Sequence, residues 1–257
     1  MSNAVNEVNS ENMESYRRFL KAYWWDEREK CETDLKKGIP APPVQTPCPG
    51  DAPRIALAPP EELKMGFMPV FQAIRDRKSH RKFKVESLTK DELSFLLWAV
   101  QGMRGEADER GMRRTVPSAG SRHPFETFLL VNRVVGLEPG IYKYRPLEHE
   151  LRFLVPDGDL AQKVSEGCRG QAFVGKSSVV FVWTVVPYRA EWRYLMVAPK
   201  MIALDAGHVC QNLYIACTAI GAGTCAIGLY DQEKMDAIVG VDGKDEFVIY
   251  AAPVGKV

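Results

Sequence analysis

The residues best suited to chemistry in this chain lie at positions 77–83, Arg-Lys-Ser-His-Arg-Lys-Phe. In an extended backbone alternate side chains share a face, so Arg77, Ser79 and Arg81 project together, two planar guanidinium forks flanking a hydroxyl. Such a set grips a phosphate. Each guanidinium gives charge-assisted hydrogen bonds, the serine adds a short donor, and Lys78, His80 and Lys82 raise the potential from the other face. The same run also reads as a solvated basic face or a weak nucleic-acid patch. Overall charge weighs against a polyanionic partner: 34 Lys and Arg are offset by 33 Asp and Glu, for a net charge of +1. A nucleic-acid binder normally carries a clear basic excess, so a single small phosphorylated ligand fits better.

A second string, Pro117-Ser118-Ala119-Gly120-Ser121, has small residues that let backbone approach a flat ligand and two hydroxyls that reach heteroatoms; it also reads simply as a turn. Gly221-Ala222-Gly223 is not a dinucleotide fingerprint, because it follows a helical pattern, precedes a strand pattern and lacks a third glycine at position 226. It reads as a helix stop. No Walker sequence, no nucleophile elbow and no spaced histidine and carboxylate set is present. Cys31, Cys48, Cys168, Cys210, Cys217 and Cys225 have no zinc-ribbon or thioredoxin spacing, and the four histidines are scattered, so no metal is expected. A phosphate clamp without an evident acid, base or nucleophile points to a bound organic cofactor as the source of reactivity.

The elements that must position these residues follow from hydrophobic period. Residues 13–30 read as a helix carrying Tyr16, Phe19, Leu20, Tyr23 and Trp24, and the proline-rich stretch 38–59 as irregular chain wrapping the surface. Together they form an extension, residues 1–66, ahead of a main domain at 67–257. A short helix at 67–76 leads into the basic motif. Residues 89–101 form a helix capped by Thr89, with Glu92 completing a capping box, an apolar stripe of Leu93, Leu96, Leu97 and Val100, and a stop at Gly102. Strands are expected at 127–131, 141–144, 151–155, 179–186, 224–230 and 246–254, with helices at 200–220 and 232–239. The helix at 200–220 is apolar on most sides, which places it in a core or a subunit interface. Strands and helices do not alternate strictly, so the class is α+β with a mixed or antiparallel sheet. The N-terminal residues are polar and the longest apolar stretch is too short to span a bilayer, so a soluble, cytoplasmic protein with no membrane or nucleic-acid partner is expected.

The order of Arg-x-Ser-x-Arg at 77–81, Pro-Ser-Ala-Gly at 117–120, Asp-Ala-Gly-His-x-x-Gln-Asn-Leu at 205–213, a glycine-ended strand to Gly228 and Pro-Val-Gly-Lys at 253–256 resembles the nitroreductase family of FMN flavoproteins, over roughly residues 68–257. Gly-Ile-Pro-Ala-Pro-Pro at 38–43, Gly-Ile-Tyr-Lys-Tyr at 140–144 and Ala-Gly-His at 206–208 resemble the azoline dehydrogenase branch, which acts on thiazole- and oxazole-modified peptides. The resemblance implies an intertwined homodimer with FMN at the subunit interface and the 200–220 helix in the dimer core. It implies that Arg77, Lys78, Ser79 and Arg81 hold the FMN phosphate and the flavin's polar edge, with Lys256 adding to the phosphate site. Pro117, Ser118, Ala119, Gly120 and Ser121 would lie against the flavin from the partner subunit, and Ala226, Ile227 and Gly228 would offer backbone groups near its reactive N5.

The implied activity is two-electron, ping-pong transfer from NAD(P)H to an electron-poor acceptor such as a nitroaromatic or quinone. One departure matters: where the azoline dehydrogenase branch carries a Lys-Tyr pair, this chain has Arg193-Tyr194. Arginine stays protonated and is a poor general base, which leaves Tyr194 as a candidate proton donor or a packed tyrosine. Two alternatives stand beside the oxidoreductase: a peptide-modifying azoline dehydrogenase, and a flavin-binding protein without turnover.

Overall fold

Two seven-residue runs rich in β-branched and aromatic side chains, Phe125–Val131 and Val179–Val185, are buried at every position. A strand buried on both faces must have helices on both sides of its sheet. The computed structural model, which describes residues 10–105 and 113–257, bears this out. In chain order the strands are β1 Arg54–Ala56, β2 Phe125–Val131, β3 Gly140–Arg145, β4 Glu150–Pro156, β5 Val179–Val185, β6 Ala222–Thr224 and β7 Phe247–Lys256, and the sheet order is β1-β4-β3-β2-β5-β7-β6. Every pairing between these strands is antiparallel, which decides between the two sheet types expected.

The helices are α1 Ser10–Arg18, α2 Trp24–Glu29, α3 Val70–Asp76, α4 Lys90–Gln101, α5 Leu160–Gly167, α6 Ala172–Gly175, α7 Tyr188–Tyr194, α8 Ala198–Ala219 and α9 Gln232–Val239. Strand alternation sends Leu129, Val131, Phe181 and Trp183 to the face covered by α4 and α8, and Phe128, Leu130, Val180 and Val182 to the face covered by α5, α6 and α9. The capping box predicted for α4 is present: Thr89 Oγ1 accepts from the Glu92 N–H at 3.1 Å and Glu92 accepts from the Thr89 N–H at 2.9 Å. No helix among the described residues is long and apolar enough to cross a membrane.

Three expectations are corrected. The helix read over residues 13–30 breaks into α1 and α2; Tyr16, Phe19, Leu20 and Tyr23 are exposed, so no core holds the intervening turn helical. Residues 1–9 of the extension lie outside the described residues. The proline-rich stretch is not only a surface wrap, because β1 pairs with β4 and Leu57 is buried. Its irregular backbone is satisfied by charged side chains instead of a ladder: Arg189 Nε donates to the Pro43 carbonyl at 2.7 Å, Arg114 Nη2 to Val44 at 3.0 Å, and Glu126 accepts from the Thr46 N–H at 2.8 Å. The strand read over 224–230 keeps only its first residue in β6; beyond it the chain meets β7 through a bridge between Ile227 and Ala251 and through Tyr230 Oη, which donates to the Val248 carbonyl at 3.1 Å.

His149 closes the β3–β4 turn onto α4. Its Nε2 lies 2.8 Å from Ser94 Oγ and 3.1 Å from the Ala58 carbonyl, and its Nδ1 lies 2.8 Å from Tyr144 Oη. A neutral ring donating at Nε2 and accepting at Nδ1 satisfies all three groups, and burial holds its pKa below the ordinary 6.5. The unfolded chain therefore takes up the proton first, so stability is full above pH 6.5 and declines as pH falls through that value toward the lower folded pKa. The thermal midpoint of the wild type should drop more steeply between pH 7 and pH 5 than that of His149→Asn, whose side chain tolerates the positive φ at this position. Parallel pH profiles for the two proteins would refute the assignment.

Candidate functional site

The basic segment runs extended along the sheet edge made by β6. Ser79 forms a bridge with Thr224, and the His80 N–H donates to the Thr224 carbonyl at 2.9 Å. This approach requires a glycine at 223, where a Cβ would sit 2.7 Å from His80 Cγ. Tyr214 of α8 ties the segment down. Its phenol lies 2.9 Å from Ser79 Oγ and accepts from the Ala226 N–H at 2.8 Å, while Arg77 stacks its guanidinium 5.2 Å from the ring centre. One phenol thus joins Arg77, Ser79 and the chain at Ala226, which explains why that chain leaves the ladder. Lys78 and Arg81 are exposed, and neither Arg77 nor Arg81 has a carboxylate partner among the described residues. Ile227 is fastened to β7, Ala226 is partly exposed, and Gly228 faces open space. Lys256 is engaged elsewhere: its ammonium pairs with the Glu92 carboxylate of the α4 capping box.

The loop at 117–121 is built on the other part of α8. Asp205 accepts from Ser118 Oγ at 2.6 Å and from the Ala119 N–H at 3.0 Å, and Ser118 Oγ in turn accepts from the His123 N–H at 2.9 Å. Burial pushes the Asp205 carboxyl above its ordinary range, against the pull of these donors and of His208. Gly120 and Ser121 take left-handed backbone angles, φ +56° and +53°. Pro117 is exposed and Ser121 partly so. Tyr194 is buried against this loop, edge-on to Trp25 of α2 with ring centres 6.0 Å apart. Arg193 lies over the Tyr194 ring, and its carbonyl accepts from Arg28 of α2.

The predicted site residues therefore fall into two groups. Arg77, Ser79 and Ala226 meet through Tyr214; Ser118, Ala119, Gly120 and Tyr194 meet through Asp205 and α7. Asp205 and Tyr214 are nine positions apart on one helix, about 13 Å along its axis and about half a turn around it, so the groups occupy opposite sides of α8. Sequence reasoning missed Tyr214, although its spacing from Asp205 on an evident helix was a usable signal. It also missed Asp205 as an anchor and Glu92 as the partner of Lys256.

Comparison with known proteins gives consistent results. A model of the nitroreductase family matches residues 74–256. A protein of Methanocaldococcus jannaschii named as a nitroreductase is 30% identical over 207 residues, 80% of this chain and 98% of that one. A solved structure of a protein from Anabaena variabilis named as a nitroreductase has the same fold, with a TM-score of 0.67 and 24% identity, over 80% of this chain and 42% of that one. A chain of the E. coli microcin synthetase complex with truncated pro-microcin bound shares the fold with a TM-score of 0.58 and 20% identity, over 72% of each chain.

A Cβ at Gly120 would sit 2.5 Å from Tyr194 Oη and 2.9 Å from Arg193 Cδ. Gly120→Ala should therefore destabilise the protein by about 1–3 kcal/mol, from overpacking added to a left-handed backbone. Tyr194→Phe, which removes the nearer atom, should recover part of that loss in a double-mutant cycle read by urea denaturation. Strict additivity would show that the loop does not rest on Tyr194 as described.

Proposed function

The chain belongs to the nitroreductase family, and on that premise we propose that it is an FMN-dependent oxidoreductase that moves two electrons from NAD(P)H to an electron-poor acceptor in a ping-pong sequence. The observation that carries this reading is the uncompensated pair Arg77 and Arg81 beside Ser79, seated on Tyr214 next to the accessible backbone of Ala226 and Gly228. The donor set suits a phosphomonoester: two guanidinium forks and a hydroxyl, with no carboxylate competing for them among the described residues. When bound, FMN supplies the redox chemistry, and the protein supplies placement and electrostatics. Arg77, Ser79 and Arg81 would hold the phosphate, and Lys78 would add positive potential. Lys256 would contribute only by exchanging its Glu92 partner. Of the three residues expected to offer backbone groups to the flavin edge, Gly228 and the Ala226 carbonyl would do so, because the Ala226 N–H is held by Tyr214 and both backbone groups of Ile227 by Ala251; Tyr214 would fix their distance from the clamp.

We propose further that each site is completed by a second copy of the chain, whose residues 117–121 and Tyr194 would wall the flavin face. The separation of the two groups across α8 supports this. So does the apolar surface left uncovered in one copy, where Phe67, Val70, Phe71 and Ile74, on and beside α3, are between 60% and 80% exposed. Leu204 on α8 is 52% exposed. Nitroaromatics and quinones would serve as acceptors because flat, electron-poor rings stack over a flavin. A second reading, a peptide-modifying dehydrogenase, is favoured by the fold shared with the microcin synthetase chain. Arg193 weighs against it, since a guanidinium does not serve as a base.

The purified protein should be yellow, absorbing near about 450 nm as flavins do, bleach with NADPH and recolour with a quinone. Arg77→Ala/Arg81→Ala should lower flavin retention more than tenfold, measured as FMN released per chain on heat denaturation, while circular dichroism stays native. A colourless protein that FMN fails to reconstitute, or unchanged flavin content in the double variant, would defeat the proposal.

A further inference from the structure

At the opposite edge of the sheet from the clamp, β1, β4 and β3 place three cations in a row. Arg54 stands directly across from Arg152, and Arg152 directly across from Lys143. Like charges in register on one face oppose strand pairing, so this arrangement needs compensation. Lys143 has it, 3.3 Å from Glu126. Arg152 is poorly served: 6% exposed, it reaches Glu150 only at 3.5 Å and the Pro49 carbonyl at 3.3 Å, and its Nε has no partner among the described residues. That Nε carries a donor whose desolvation nothing offsets, a state shared among the described residues by Arg28, Arg114 and Arg189. Arg54 has no described partner at all.

Arg54 and Arg152 line a cleft of about 230 Å³ that also takes in Cys48, Arg145, Glu148 and Glu150. Glu148 is already engaged by Gln45 and Arg145. Arg145 also donates to the Thr46 carbonyl at 2.6 Å, so it and Arg152 would divide their donors between their carboxylate partners and an incoming anion, and the small volume admits one compact group. We propose that this cleft is a second anion site, separate from the basic segment at 77–81, that takes a single phosphate group between Arg54, Arg145 and Arg152. Such a group would compensate the cross-strand cations and occupy the unused donors, fastening β1 to the sheet edge. The proposal does not depend on the flavin reading.

Cys48 lines the cleft and reports on it directly. In the full-length protein as purified, the rate at which sulfonatoethyl methanethiosulfonate labels Cys48 is followed by mass spectrometry of its peptide. Inorganic phosphate at constant ionic strength should slow labelling at least threefold relative to chloride, and equally so in Arg77→Ala/Arg81→Ala. The exposed Arg54→Gln and the buried Arg152→Gln should each abolish the protection, the first without risk to the core. Glycerol phosphate distinguishes the sources: protection as good as that by inorganic phosphate assigns the site to a phosphorylated metabolite, and protection by inorganic phosphate alone assigns it to the free ion. Labelling indifferent to both anions, or protection that survives Arg54→Gln and Arg152→Gln, would overturn the proposal.

Discussion

The fixed length and rotation of α8 govern the architecture of the candidate site. Asp205 holds the loop at 117–121 through three hydrogen bonds, and Tyr214 holds the basic segment and the chain at Ala226 through its phenol and ring. Both anchors sit on a helix whose Val209, Cys210, Leu213, Ala216 and Cys217 are locked in the core. A helix packed in that way does not bend to bring its two faces together. The two groups of residues are kept apart by about two and a half turns. This separation within one copy is what the proposal of a site shared between two copies rests on.

The buried charges perform a different task. Glu126, Arg189, Lys143 and Arg114 are each at most 4% exposed, and Arg189 approaches Glu126 to 2.5 Å. Buried ion pairs contribute little net stability by themselves, yet breaking one leaves an uncompensated charge. Here the charges also feed the carbonyls and amide of Pro43, Val44 and Thr46. They make an irregular proline-rich segment part of the folded body, while α2 is seated separately, by Arg28 on the Arg193 carbonyl and by Trp25 on the Tyr194 ring. Through Arg193 and Tyr194, α2 thus lies beside the loop at 117–121.

What the sequence discloses follows the range of the physical signal. The capping box of Thr89 and Glu92, the helix Gln232–Val239 and the five long strands rest on local pattern and are found close to where they were read. Arg77, Ser79 and Arg81 stand out in the sequence by charge and alternation alone. The features that escaped all need a partner distant in the chain. Tyr214 gains meaning only when Ser79 and Ala226 arrive beside it; Lys256 is claimed by Glu92 across the fold; and β1 becomes a strand because β4 offers it an edge. The break between α1 and α2 is the converse case, a good aromatic stripe for which the fold supplies no core.

The central claim, that a clamp from one copy and a loop from another make one flavin site, is tested most directly by mixing defective chains. A chain carrying Arg77→Ala/Arg81→Ala and a chain carrying Gly120→Trp, differently tagged, are co-expressed, and the hybrid dimer is isolated by sequential affinity steps. A two-fold interface repeats each contact reciprocally, so the hybrid contains one site with both defects and one with neither, and should hold about one FMN per dimer while each parent holds almost none. A hybrid as empty as its parents, from chains that still dimerise, would contradict a shared site.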